Sequence, residues 1–171
     1  MEIWLRPNDG GMDAGTGKVD RVFSEDATQE HLRAVDGVLY QGKRVLGAHV
    51  IINDGRTQND GVTHMGTVDW IMVECETWSM IPLENLIAHR SGSHTKIAAV
   101  INTPLEAQGA GFALEQGVDA LVISSEPAML EAALSVKAQR MERHEVDHTV
   151  DTTALQSVQL VPLAVQSVEQ A

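Results

Sequence analysis

Between Lys96 and Ser124 the chain reads KIAAVINTPLEAQGAGFALEQGVDALVIS, and this stretch decides the fold. Lys96–Ile101 is a nearly continuous apolar run, the pattern of a strand covered on both faces. Pro104–Gln116 reads as a helix: it opens on a proline whose missing N–H costs nothing in a first turn, and Gly117 stops it. Asp119–Ser124 (DALVIS) is a second buried strand. Strand, helix and strand at intervals of about 25 residues make a βαβ unit, so the class is α/β with a parallel sheet.

The same rhythm extends in both directions. Toward the C-terminus, Glu126–Arg140 is the longest helix. Toward the N-terminus, Pro82–Arg90 carries Leu83, Leu86 and Ile87 at helical spacing, Val68–Glu74 (VDWIMVE) is a strand, and Thr57–Met65 is a short helix. Arg44–Asn53 is a longer strand, joined through a turn at Gln41-Gly42-Lys43 to the apolar run Val35–Tyr40, which predicts a hairpin. The first thirty residues are glycine-rich loop with one short strand at Glu2–Arg6. The expected architecture is a set of parallel βα repeats resembling part of a barrel, followed by a β extension. Its parts are an irregular segment (1–34), an α/β domain (35–140), a charged linker (141–153) and the first β segment of a truncated C-terminal region (154–171).

Composition bounds the function. The chain has 171 residues, 43% hydrophobic and 21% charged, with 12 basic against 24 acidic side chains and a formal net charge of -12. Such a balance belongs to globular proteins rather than to disordered chains. Its field repels phosphate backbones and anionic headgroups, so neither nucleic acid nor membrane is an expected partner, while small anions can still bind in a local basic pocket. No apolar run approaches the ~18–20 residues that span a bilayer. The single cysteine, Cys75, excludes an intramolecular disulfide and suits a reducing compartment, so the cytoplasm is the expected location. Aromatics make up 4%, which requires an aliphatic core.

Several motifs compete for chemistry. Asp13–Lys18 (DAGTGK) lacks the spacing of a phosphate loop, since Met12 and Val19 stand where that pattern needs Gly and Ser or Thr. His144–His148 (HEVDH) matches H-E-x-x-H, but its charged flanks lack the apolar stripe of a packed zinc helix, so no metal ligands are assigned. Cys75 lies between two acidic residues, the wrong setting for a reactive thiolate. Glu74–Ser79 (ECETWS) stands out because function gathers in the loops that leave the carboxyl ends of parallel strands. It offers two carboxylates, a thiol, two hydroxyls and an indole, and runs into a helix carrying Glu84 and Asn85.

This loop and helix also carry a family string. Val73–Ala88, VECETWSMIPLENLIA, resembles the corresponding segment of type II 3-dehydroquinate synthases. Lys96–Val100 with Glu106-Ala107, the block Ala113–Ala120 (ALEQGVDA) and Leu160–Val165 (LVPLAV) are similar to the family in order and spacing. The resemblance runs from about Val35 to the chain end. It implies NAD-dependent oxidative deamination of 2-amino-3,7-dideoxy-D-threo-hept-6-ulosonate, a small amino sugar acid, and cyclisation to 3-dehydroquinate in aromatic amino-acid biosynthesis. A related activity makes 3-amino-4-hydroxybenzoate with a divalent metal, and a non-catalytic remnant of the family is the third reading.

On this resemblance Glu74 and Glu84 are the catalytic candidates, as base or water-polarising groups. Trp78, Asn85 and Lys96 are the substrate- or cofactor-binding candidates: stacking for Trp78, a hydroxyl contact for Asn85, a cation for Lys96. Thr77 and Ser79 stand where the family commonly has Asp and Lys. Family members are longer, so the chain is expected to be the N-terminal portion, assembling as a homo-oligomer or with a separate C-terminal chain.

Overall fold

Alternation along each strand sorts the side chains of this protein into two separate cores, and those cores define the architecture. A computed structural model describes residues 1–8, 16–26, 30–76 and 80–143. The chain divides into two compact units, Met1–Lys137 and Ala138–Ala171. In the second, residues 138–143 are described, and they are helical.

The first unit opens with strands β1 (Glu2–Leu5), β2 (Arg21–Val22), β3 (Leu32–Val35), β4 (Val38–Gln41) and β5 (Arg44–Ile52). Helix α1 (Gly55–His64), β6 (Trp70–Cys75), α2 (Met80–Arg90), β7 (Lys96–Val100), α3 (Pro104–Phe112) and β8 (Ala120–Ile123) follow. A last helix, α4, starts at 127 and continues to 143. The strands form one eight-stranded sheet in the order β2-β1-β8-β7-β6-β5-β4-β3, which is chain order around a ring. A parallel bridge between Phe23 and Leu32 joins the two edges, supported by the Ser24 amide donating to the Leu32 carbonyl at 3.0 Å. The sheet is therefore a nearly closed barrel, and β4 is the strand that runs against its neighbours.

Trp4, Phe23, Leu32, Leu39, Leu46, Trp70, Met72, Ala98, Val100, Ala120 and Val122, drawn from all around the sheet, form one buried cluster that fills the barrel. Ile3, Leu5, Ala48, Val50, Ile71, Val73, Ile97, Leu121 and their neighbours point outward and pack with Leu83, Leu86, Ile87, Ala107, Met129 and Ala133 from the helices. Strands covered on both faces read as continuous apolar runs for this reason. Inside, Trp4 and Trp70 meet with ring centroids 4.6 Å apart, and Ala98 and Ala120 belong to the same packed cluster. Truncating either indole to alanine is expected to cost about 3–5 kcal/mol. Arg21 lies 5.5 Å from both indole centroids and donates to Glu2 at 2.8 Å, covering the amino-terminal end of the barrel.

Local chemistry sets the helix starts. Asp54 and Thr103 each form a reciprocal capping box with the residue three positions on, Thr57 and Glu106, satisfying backbone N–H groups that a helix leaves unpaired. Hydrogen bonds from the Thr57 amide and hydroxyl hold the Asp54 carboxyl below its usual range.

Several boundaries differ from the sequence reading. Val35–Tyr40 is not one run: Asp36 and Gly37 adopt positive φ (50° and 79°), the requirement of a tight hairpin turn, and Val35 ends β3. Helix α2 begins at Met80, two residues before Pro82, because a proline anywhere in the first turn removes no intrahelical bond. Helix α3 ends at Phe112, and Ala113–Glu115 tighten into a 3-10 turn with Leu114 and Glu115 at positive φ. Residues 141–143, expected in a linker, continue α4. The rest of the expected linker and the β extension lie outside the described residues. Among the described residues no helix is long and apolar enough to cross a membrane.

Candidate active site

The inward positions at the carboxyl ends of the strands carry the polar chemistry. In β5, Ala48, Val50 and Ile52 pack outward, so His49 takes the inner face. In β6, Ile71 and Val73 pack outward and Met72 inward, which puts Glu74 on the inner face. Arg6, just after Leu5 in β1, follows the same alternation. The parallel register pairs His49 with Met72 and Ile51 with Glu74, so His49 and Glu74 are diagonal neighbours.

These three side chains meet. His49 Nε2 lies 2.9 Å from Glu74 Oε2. Arg6 grips the same carboxylate with both terminal nitrogens, Nη2 to Oε1 at 3.0 Å and Nη1 to Oε2 at 3.3 Å. The His49 hydrogen bond, aided by Arg6 and opposed by burial, lowers the Glu74 pKa to about 2. Glu74 is thus ionised at neutral pH and only accepts, so His49 Nε2 is the donor in this contact, and the tautomer that donates from Nε2 has its lone pair on Nδ1. A carboxylate orienting an imidazole in this way leaves Nδ1 as the proton acceptor. His49 is 14% exposed, shielded but reachable. Arg6 and His49 line a cleft of about 490 Å3 together with Phe23, Ser24, Glu25, Leu32, Arg33 and neighbouring residues, where the wall is held by the Phe23–Leu32 bridge.

Of the residues expected from sequence, Glu74 is at the centre of this cluster. Glu84 and Asn85 are half-buried on α2, in the helix layer outside the barrel, and the Asn85 carbonyl accepts a hydrogen bond from His89 Nδ1 at 2.8 Å. Lys96 opens β7 in register with Trp70, at the amino-terminal end, with its ammonium 5.4 Å from the Trp70 ring centroid. Four residues separate that level from Glu74, or about 13 Å of strand. Thr77, Trp78 and Ser79 lie outside the described residues, as do Asp13 to Gly15 and His144–His148. Cys75 faces the helices and packs against the outer core. Among the described residues no group of three or more His, Cys, Asp or Glu side chains is placed to hold a metal ion.

His49 and Arg6 were not among the expected site residues. A signal existed for His49: it is the one polar side chain in Val45–Ile52 (VLGAHVII), and a polar side chain inside a buried parallel strand needs a partner. Arg6 follows a four-residue strand in a region read as mostly loop, and only barrel closure reveals its direction.

The sequence has relatives among known proteins. The 3-dehydroquinate synthase II N-terminal domain family matches residues 13–137. A 3-dehydroquinate synthase of Methanococcus maripaludis is 34% identical over 96 residues, covering 55% of this chain and 26% of the relative. That of Nitrosopumilus maritimus is 34% identical over 109 residues, covering 63% and 31%. That of Methanocorpusculum labreanum is 28% identical over 120 residues, covering 66% and 35%. The chain spans about a quarter to a third of the length of the curated relatives it matches. No solved structure matches it. With the family match extending over most of the chain, the protein belongs to the 3-dehydroquinate synthase II N-terminal domain family.

Proposed function

We propose that this chain supplies the proton-transfer site of a type II 3-dehydroquinate synthase. The overall reaction on this reading is the oxidative deamination of 2-amino-3,7-dideoxy-D-threo-hept-6-ulosonate with NAD, then intramolecular aldol closure to 3-dehydroquinate. The carrying observation is the Arg6–Glu74–His49 cluster at the carboxyl ends of the strands. Ring closure requires a base to remove a proton next to a ketone and return it to the new alkoxide. His49 Nδ1 performs both transfers, and ionised Glu74 stabilises the imidazolium formed between them. Arg6 keeps Glu74 ionised and fixed. Glu74 itself, with a pKa of about 2, is too weak a base for the task and acts through His49.

The cleft of about 490 Å3 has the size of a site for one small ligand. On this reading NAD binds as the hydride acceptor, and no described residue is assigned to hold it. The remaining assignments are a small amino sugar acid as substrate, the cytoplasm as compartment, and a second copy or a separate C-terminal chain as partner.

The test supplies the full chain with its C-terminal complement, NAD and the amino sugar acid, and follows NADH by its near-ultraviolet absorbance. Turnover that falls sharply in His49→Gln supports the proposal. Turnover unchanged by that substitution rejects His49 as the base.

A further inference from the structure

We infer that Arg33 is the carboxylate-binding residue of the cleft, which takes a small polyhydroxylated carboxylate; this rests on the function proposed above and names what holds the acid end of that substrate. Two arginines line the cleft, Arg6 and Arg33. Arg6 is committed, both of its terminal nitrogens being held by Glu74. Arg33 is not: its Nε is shut off from solvent with no hydrogen-bond partner, and among the described residues its guanidinium makes no hydrogen bond or ion pair. Its one contact of note is with Tyr40, the cross-strand neighbour in the β3–β4 hairpin, whose ring centroid lies 5.0 Å from the guanidinium carbon.

A cation–π contact of this kind holds a guanidinium in place without a hydrogen-bond acceptor. A guanidinium left without a partner is unfavourable, and a carboxylate accepting from its two terminal nitrogens on the cleft side supplies two parallel charge-assisted bonds. Arg33 shares the cleft with His49, so a ligand whose carboxylate sits on Arg33 extends toward the proton acceptor. Glu25, also in the lining, disfavours ligands carrying more negative charge than one carboxylate. In a chain of net charge -12, an arginine held against Tyr40 and unpaired among the described residues supplies the local basic site that a small acid needs.

Calorimetric titration of the full chain with quinate, a cyclic polyhydroxy carboxylate, tests the assignment. Its methyl ester and inorganic phosphate are the controls. Quinate is expected to bind, the ester and phosphate to bind at least about tenfold more weakly, and Arg33→Gln to weaken quinate by about tenfold or more. Arg33→Lys, which keeps the charge without the planar fork, falls between them and serves if the glutamine variant does not fold. The Arg33 Nε–H resonance in a nitrogen–proton NMR spectrum is expected to move on quinate addition. Equal affinity of wild type and variant for quinate, no quinate binding, or phosphate binding as tightly as quinate overturns the assignment. Arg33-dependent quinate binding without any NADH formation keeps this site and removes the synthase reading. Turnover with a KM indifferent to Arg33 does the reverse.

Discussion

Glu74 shows how much one side chain depends on partners far away in sequence. Its folded pKa of about 2 lies below its ordinary value of 4.5, so the interactions that hold it contribute stability above pH 4.5 and lose that contribution as pH falls toward 2. For a partly exposed group the contribution is of order 2 kcal/mol after solvent screening. Glu74→Gln is therefore expected to lower stability near neutrality by about that amount and to flatten acid unfolding between pH 4.5 and 2. Urea unfolding across that range checks it. His49→Gln is expected to reduce turnover by about 10²–10⁴-fold, the usual contribution of a positioned acid–base group, and to lower stability by no more than Glu74→Gln does, since it removes one of the interactions that hold Glu74. The sequence exposed Glu74 because it ends an apolar strand and begins a family string. His49 and Arg6 lie 25 and 68 residues from it, and only strand register brings them within hydrogen-bonding distance.

At the scale of elements, the legible parts were those that carry their own punctuation. The units from β6 to α4 are bounded by Pro, Gly and capping residues, and their strands are continuous apolar runs, so they were readable in order. The β2–β4 region was not: β2 has two residues, too few for any period, and Asp36-Gly37 sits inside an apolar run. A close approach between β5 and β6 was equally invisible. Gly47 is paired with Trp70, and a Cβ at Gly47 would come within 1.8 Å of the Trp70 carbonyl oxygen. Gly47→Ala must therefore separate the strands that carry His49 and Glu74, and is expected to destabilise by about 3 kcal/mol. Thr103→Ala removes one capping box and is expected to cost about 1 kcal/mol without affecting ligand binding. Thermal unfolding of the two variants side by side measures the contrast.

For the whole molecule, barrel closure makes the N-terminus indispensable. β1 lies between β2 and β8, contributes Trp4 to the interior and leads into Arg6. Removing residues 1–7 opens the sheet between β2 and β8, and is expected to abolish cooperative unfolding and the near-ultraviolet dichroism of the packed indoles. The α/β class was legible from the repeating βα units, which led to an expectation of part of a barrel, whereas closure through one bridge was not legible, because Phe23 and Leu32 flank a stretch with no strand pattern of its own.

The central claim, that His49 held by Glu74 is the proton acceptor of a type II 3-dehydroquinate synthase, is tested most directly by solvent exchange. The chain and its C-terminal complement, incubated in deuterium oxide with the deaminated keto acid, are expected to form 3-dehydroquinate and to exchange deuterium next to the ketone. His49→Gln is expected to lose both ring closure and exchange while still binding the acid. Ring closure and exchange at wild-type rates in His49→Gln would contradict the account.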